Sequence, residues 1–121
     1  MKICNFEDIE AWKLGRELVN KVYYLFTELN DFAFKNQILR ASLSIITNIA
    51  EGFDRGSNKE FIQYLIIARG SVSEVKSLLY IALDLEYITK QQFTKLTEKC
   101  DKISKIINGF IRYLKQNNRK D

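Results

Sequence analysis

Histidine and proline are missing from the 121 residues of this sequence, and cysteine occurs only twice. Without histidine there can be no Ser-His-Asp triad, no imidazole proton shuttle and no histidine metal ligand. Cys4 and Cys100 form no C-x-x-C motif, so we expect no zinc or redox site. Without proline, no residue obliges a helix to kink. The sequence therefore predicts a protein that has no metal, no cofactor and no enzymatic activity.

Long apolar runs are missing as well. The longest, residues 78–83, contains six residues, whereas a helix that spans a membrane needs about 18 or more. The first residues include acidic side chains and no apolar segment of the kind found in signal peptides. Two thiols without an export signal are typical of a reducing compartment. We therefore expect a cytoplasmic protein with no membrane partner.

Helical periodicity runs through the whole chain. Apolar residues alternate at intervals of three and four over residues 61–82 and 93–114, and in a wider stripe over residues 11–29. The segments that begin at Ser57 and Thr89 have the sequence of capping boxes. The pattern predicts one domain, residues 1–121, with helices at about 7–29, 32–53, 58–86 and 90–116 and a basic tail at 117–121. Because the loops are short, we expect an all-α, antiparallel up-down-up-down four-helix bundle.

The second helix is unusually apolar. Its apolar arc covers about 200°, more than a single core-facing stripe requires. A helix of this kind is covered on two sides, and large exposed apolar patches are uncommon on soluble monomers. We hypothesise a homo-oligomer; the alternative is a monomer in which this helix is central. The candidate interface residues are Trp12, Tyr23, Leu39, Leu43, Ile46 and Phe53.

A row of polar residues follows the remaining face of the second helix. Its members are Gln37, Arg40, Ser44, Asn48 and Glu51. One interpretation is a groove that binds phosphates through Arg40, with Asn48 and Glu51 positioning it. The other is a polar network or ion pair that fixes the register between helices.

The loop after the second helix offers another candidate anion site. The amides at the start of the third helix, beside Arg55 and Lys59, are placed to hold a phosphate. Helix capping by itself accounts equally for Ser57 and Glu60. The sequence by itself does not choose between these two interpretations.

Positive charge is concentrated in the last quarter of the chain. From Lys95 onward there are eight basic and three acidic residues, whereas residues 1–94 carry 11 basic and 12 acidic residues. Acids at i,i+4 spacing, as in Asp101 and Lys105, neutralise this helix only in part. The surface either solubilises the protein or contacts phosphates. No aromatic platform for stacking single-stranded bases is evident, and we expect Tyr113 to pack inside.

Four segments together resemble a known family. They read FEDIEAW at residues 6–12, QILRASLSIITNIAEG at 37–52, RGSNKEF at 55–61 and IARGS at 67–71. The chain resembles, over nearly its whole length, the bacterial four-helix bundle proteins encoded by intervening sequences within 23S ribosomal RNA genes. That family is related to the accessory variability protein of diversity-generating retroelements.

The resemblance implies an antiparallel four-helix bundle that assembles as a ring-like homopentamer. For the retroelement relative it also implies a basic surface that engages nucleic acid and a reverse transcriptase partner. It supplies no catalytic residue. Ile46 stands where many relatives carry proline, so we expect the second helix to be straighter here.

These observations combine into one functional prediction and one alternative. We expect a homo-oligomeric bundle that binds structured RNA or an RNA–DNA intermediate through phosphate contacts. The alternative is a scaffold that recruits a reverse transcriptase or another protein, with no direct nucleic-acid role. The candidate phosphate contacts are Arg40, Arg55, Lys59, Lys105, Arg112, Lys115 and Arg119.

Overall fold

The computed structural model describes residues 3–117. A short 3-10 helix, Phe6–Asp8, is followed by α1 (Glu10–Phe26), α2 (Phe32–Asp54), α3 (Asn58–Asp84) and α4 (Lys90–Gln116). The described part of the chain contains no strand, and the all-α four-helix class is confirmed. Arg119 and the tail from residue 118 onward lie outside the described residues.

The first helix is shorter than the predicted 7–29 because both of its ends are interrupted. Ile9 is extended, with φ −75° and ψ 126°, and its side chain is only 2% exposed. Burying Ile9 separates the 3-10 turn from α1. At the other end, the Thr27 hydroxyl donates to the Tyr23 carbonyl over 2.5 Å. The Lys35 ammonium donates to the Thr27 carbonyl over 3.2 Å, so a side chain satisfies a carbonyl that a longer helix would use.

Side-chain caps start the other three helices. Asp31, Ser57 and Thr89 each accept a hydrogen bond, 3.1–3.2 Å long, from the backbone amide three residues later. At Thr89 the box is complete, because the Gln92 side chain accepts from the Thr89 amide over 2.9 Å. At Ser57 the Glu60 carboxylate instead accepts from the serine hydroxyl, over 3.3 Å. Half of the capping box predicted at Ser57 is therefore replaced by a bond between side chains.

Two glycines allow close approaches between helices. A Cβ added at Gly15 of α1 would lie 2.8 Å from Cγ2 of Ile46 in α2. A Cβ added at Gly52 of α2 would lie 2.5 Å from Cβ of Tyr64 in α3. Both distances are shorter than two carbon atoms tolerate, so α2 is packed tightly against both neighbours.

The helices form a four-membered ring in which α2 and α4 are diagonal. Each helix packs against the one before and after it in the chain, and α4 also packs against α1. Over the described residues, α2 and α4 have no Cα atoms within 8 Å of each other. Cations on the outer faces of α2 and α4 therefore point to opposite sides of the bundle. None of the helices traced in residues 3–117 is long and apolar enough to cross a bilayer.

Candidate nucleic-acid interface

The polar row on α2 is bonded to α3. The Ser71 hydroxyl donates to the Ser44 hydroxyl over 2.8 Å. The Asn48 amide donates to the hydroxyl and carbonyl of Ser44 over 2.9 and 2.8 Å. Nearer the start of α2, the Gln37 amide donates to the Glu74 carboxylate over 2.8 Å. These bonds favour the interpretation in which the row fixes the register of α2 against α3.

Arg40 lies outside that network. It is exposed on α2 and forms no hydrogen bond or ion pair with any of residues 3–117. The structure therefore lacks the bonds from Asn48 and Glu51 to Arg40 by which the groove interpretation would position that guanidinium. Because α2 and α4 are diagonal, it also separates Arg40 from the cations of the last helix.

Arg55 belongs to a second network, at the end of α2. Its guanidinium donates to the Glu51 carboxylate over 3.0 Å and to the Tyr64 hydroxyl over 2.7 Å. It also lies 5.2 Å from the centre of the Tyr64 ring. The bond to Glu51, with a further contribution from Tyr64, raises the pKa of Arg55. Arg55 is therefore partly committed to holding α2 against α3.

The start of α3 is tied to the end of α4. The Asn58 amide donates to the carbonyls of Leu114 and Asn117 over 3.3 and 2.7 Å. This brings the exposed side chains of Lys59 and Lys115 to the same end of the bundle. Two of the predicted phosphate contacts, distant in sequence, thus share one end of the fold.

The basic face of α4 is less neutralised than its spacing predicts. Asp101 does not pair with Lys105; its carboxylate accepts from Lys76 of α3 over 2.7 Å. The bond raises the pKa of Lys76. Among the described residues, Lys105 and Arg112 consequently have no acidic partner, and both are exposed.

The structure places a cluster of lysines between α1 and α4 that the sequence did not predict. The Glu17 carboxylate of α1 accepts from Lys99 of α4 over 2.6 Å. Lys99, with Lys21 and Lys102 further away, lowers the pKa of Glu17. The lysines of α4 were visible as part of the basic last quarter. Lys21 gave no signal, because only the antiparallel packing of α1 on α4 brings it near them.

The candidate oligomer residues mostly pack within their own chain. Trp12, Tyr23, Leu39, Ile46 and Phe53 are all partly buried. Leu43 is the only one of the set among the large exposed hydrophobic residues.

An exposed surface with large apolar side chains lies on α3. Between residues 63 and 81, the exposed residues of α3 include one charge, Glu74. Large side chains supply much of this surface, with Ile67 51% and Tyr80 53% exposed. Gly70 lies at its centre, and a Cβ added there would meet nothing within 4 Å. We call this surface the α3 outer face; its exposed uncharged members are Gln63, Ile66, Ile67, Gly70, Ser73, Ser77, Tyr80 and Ile81.

Comparison with known proteins agrees with this architecture. A profile of the 23S rRNA-intervening sequence protein family matches residues 7–109. The chain belongs to this family. Its fold is similar to the crystal structure of a protein of unknown function from the S23 ribosomal protein family of Bacteroides thetaiotaomicron VPI-5482. That similarity has a TM-score of 0.74 and 29% sequence identity, over 88% of this chain and 98% of the other. A search of curated proteins found no match.

The metal-ligating side chains of residues 3–117 do not cluster, and the one buried cysteine is protonated at neutral pH. Within residues 3–117, no three His, Cys, Asp or Glu side chains come together as a metal-binding group. Cys100 is fully buried, and burial raises the pKa of its thiol to about 12. A thiol with so high a pKa is protonated at neutral pH and is a poor nucleophile.

Proposed function

We propose that this protein is a self-associating helical bundle that binds structured RNA or an RNA–DNA intermediate through phosphate contacts on its α4 side. The observation that supports this is the exposed row of cations on α4, of which Lys102, Lys105 and Arg112 have no acidic partner among the described residues. Residues three or four apart on a helix are surface neighbours, so Lys95, Lys99, Lys102 and Lys105 form one continuous strip.

We expect these cations to contact phosphates rather than to read bases. Lysine is a flexible point charge, and contacts to the phosphate backbone position a protein without carrying sequence information. Lys59 and Lys115 extend the strip to one end of the bundle, and Arg55 contributes the exposed part of its guanidinium. We therefore expect affinity to depend strongly on salt and weakly on sequence.

Fluorescence anisotropy with a labelled RNA hairpin tests this proposal. With about five phosphate contacts, affinity should fall about a hundredfold or more between 50 and 200 mM salt. Lys105→Glu should weaken binding about tenfold, because it replaces an attraction with a repulsion in the middle of the strip. Arg40→Glu makes the same charge change on the diagonal helix and should change affinity less than twofold. Salt-insensitive binding, no binding at 50 mM salt, or equal effects of the two variants would contradict the proposal.

Self-association is the second part of the proposal, and the α3 outer face supports it best. Gly70 costs about 1 kcal/mol relative to alanine in a helix interior, and no close approach within the chain requires it. A second copy packed on this face would explain both the small residue and the exposed isoleucines. Leu43 and the other five candidate residues on α1 and α2 are the competing contact.

Light scattering measures the oligomer directly. The homopentamer implied by the family resemblance would have five times the chain mass of 14.2 kDa. A mass near 14.2 kDa at working concentration would rule out self-association. Ile67→Lys, which puts a charge in the α3 outer face, should lower the mass, whereas Leu43→Lys should do so only if the α2 surface is the contact.

The same apolar face favours one alternative function, a scaffold for another protein such as a reverse transcriptase. Reversing the charges at Lys105, Arg112 and Lys115 separates the two functions. If the triple variant still bound RNA and lost a purified protein partner, the scaffold would be the correct function. If it lost RNA alone, nucleic-acid binding would be.

A further inference from the structure

An open cavity of about 490 Å³ lies between the second half of α1 and the first half of α4. We call it the α1–α4 groove. Leu25 of α1 and Leu96 of α4 are among the residues that line it; Leu96 is buried and Leu25 half-buried. Sites for small molecules and cofactors have volumes of about 300–1,000 Å³ and mainly apolar walls. The cavity is therefore large enough for a ring system with one or two substituents.

Three lysines surround this apolar cavity. Lys21 projects from α1, and Lys95 and Lys99 project from α4. Lys99 is paired with Glu17 over 2.6 Å, whereas Lys21 and Lys95 have no acidic partner in the described part of the chain. A complementary ligand therefore combines an apolar body with negative charge at its edge.

Tyr24 lies beside the cavity and is unusually exposed. Its side chain is 87% exposed, more than any other large hydrophobic residue in residues 3–117. An aromatic ring that contributes so little to the core is available for stacking. Basic grooves that display such a ring are how proteins hold single-stranded nucleic acid, since each base offers a face to the ring and each phosphate a charge to the lysines.

We propose that the α1–α4 groove binds one unpaired nucleotide of an RNA strand, with the base stacked on Tyr24 and the flanking phosphates at Lys21 and Lys95. This inference rests on the proposed function and adds a site for single-stranded RNA to it. The lysine strip leads out of the groove through Lys99 and Lys102, as a continuing phosphate backbone requires. A small free acid would need only one or two of these charges.

Two probes of equal length test the site, a single-stranded 12-nucleotide oligouridylate and a 12-base-pair RNA duplex. Stacking of one base is worth about tenfold in affinity. Tyr24→Ala should therefore weaken binding of the single strand about tenfold and change duplex binding less than twofold. Tyr24→Phe keeps the ring and should bind like the wild type. Phe32→Ala removes another exposed aromatic ring, from the start of α2, and should leave both affinities unchanged.

A spectroscopic readout locates the base. An RNA strand that carries one 2-aminopurine should lose fluorescence when it stacks on Tyr24, and Tyr24→Ala should remove that quenching. The double variant Lys21→Ala/Lys95→Ala should make the plot of log affinity against log salt less steep for the single strand, by an amount that corresponds to about two phosphate contacts. Because Tyr24 is exposed, its variants should keep the melting temperature of the wild type, which circular dichroism verifies.

The outcomes separate this inference from the function on which it rests. If the wild type binds neither probe, the proposed function fails. If the wild type binds both probes and Tyr24→Ala changes neither affinity nor quenching, RNA binds elsewhere and the nucleotide site is wrong. If an acidic, leucine-containing peptide binds the groove in a Lys21- and Lys95-dependent way and the single strand does not, the groove is a protein-binding site.

Discussion

The hydroxyl of Tyr87 donates a hydrogen bond to Oδ2 of Asp31 over 2.6 Å. The other oxygen of Asp31 caps α2, where it accepts from the amide of Phe34 over 3.2 Å. One carboxylate therefore joins the α1–α2 turn to the α3–α4 turn. The bond from Tyr87, followed by the bond from Phe34, lowers the pKa of Asp31, and the same contact raises the pKa of Tyr87.

Removing this hydroxyl should destabilise the protein in a pH-dependent way. We expect Tyr87→Phe to lower the melting temperature by a few degrees at pH 7. Because the pKa of Asp31 is lowered in the folded state, its stabilisation is complete above its unfolded pKa of about 3.9 and is lost as the pH falls through the folded value. The difference between variant and wild type should therefore shrink at pH 3. Thermal unfolding at both pH values measures it.

Tyr80→Phe is the matched control for that experiment. The Tyr80 side chain is 53% exposed, and its ring lies against that of Phe93, with 4.9 Å between the ring centres. Its phenylalanine variant should melt like the wild type at both pH values. If Tyr80→Phe and Tyr87→Phe had the same effect, the bond to Asp31 would contribute nothing specific.

Two glycines should respond oppositely to substitution by alanine. Gly52→Ala gains about 1 kcal/mol of helix propensity but forces a Cβ to within 2.5 Å of Cβ of Tyr64. Overpacking costs about 1–3 kcal/mol or more, so we expect net destabilisation. Gly70→Ala meets nothing within 4 Å and should stabilise the isolated chain by up to about 1 kcal/mol. Urea denaturation compares them; stabilisation by Gly52→Ala would contradict the close packing of α2 on α3.

Asn58 should hold the end of α4 in place. It is 6% exposed and donates to two carbonyls of that helix end, while its own Oδ1 has no partner in the described residues. Asn58→Ala removes both bonds and leaves two acceptors unsatisfied, which should cost about 1–3 kcal/mol. Hydrogen exchange should speed up most in the last turns of α4. Uniform acceleration throughout the chain would indicate a general loss of packing instead.

The two cysteines should differ sharply in reactivity. Cys4 is exposed, whereas Cys100 is buried and its thiol has a pKa of about 12. Because only the thiolate reacts, iodoacetamide at pH 8 should add one group to the native protein and two after denaturation. Mass spectrometry counts them. Modification of Cys100 in the native state would show that the core around it opens.

The helices and their class were predictable from local information. Apolar periodicity and caps act over three to seven residues, so α2, α3 and α4 begin and end within two residues of the positions predicted from sequence. The break at Ile9 was not predictable, because it depends on a side chain that reaches a core formed by other helices.

The sequence by itself determined the all-α bundle, the family and the excess of positive charge near the C-terminus, since these depend on composition, motifs and short-range periodicity. Only the tertiary structure decided which polar residues are already occupied and which cations are neighbours. Asp101 pairs with Lys76 rather than Lys105, and the α2 row bonds to α3, because packing brings together residues that are distant in the chain. The groove beside Tyr24 exists only where α1 meets α4, so no local pattern could reveal it.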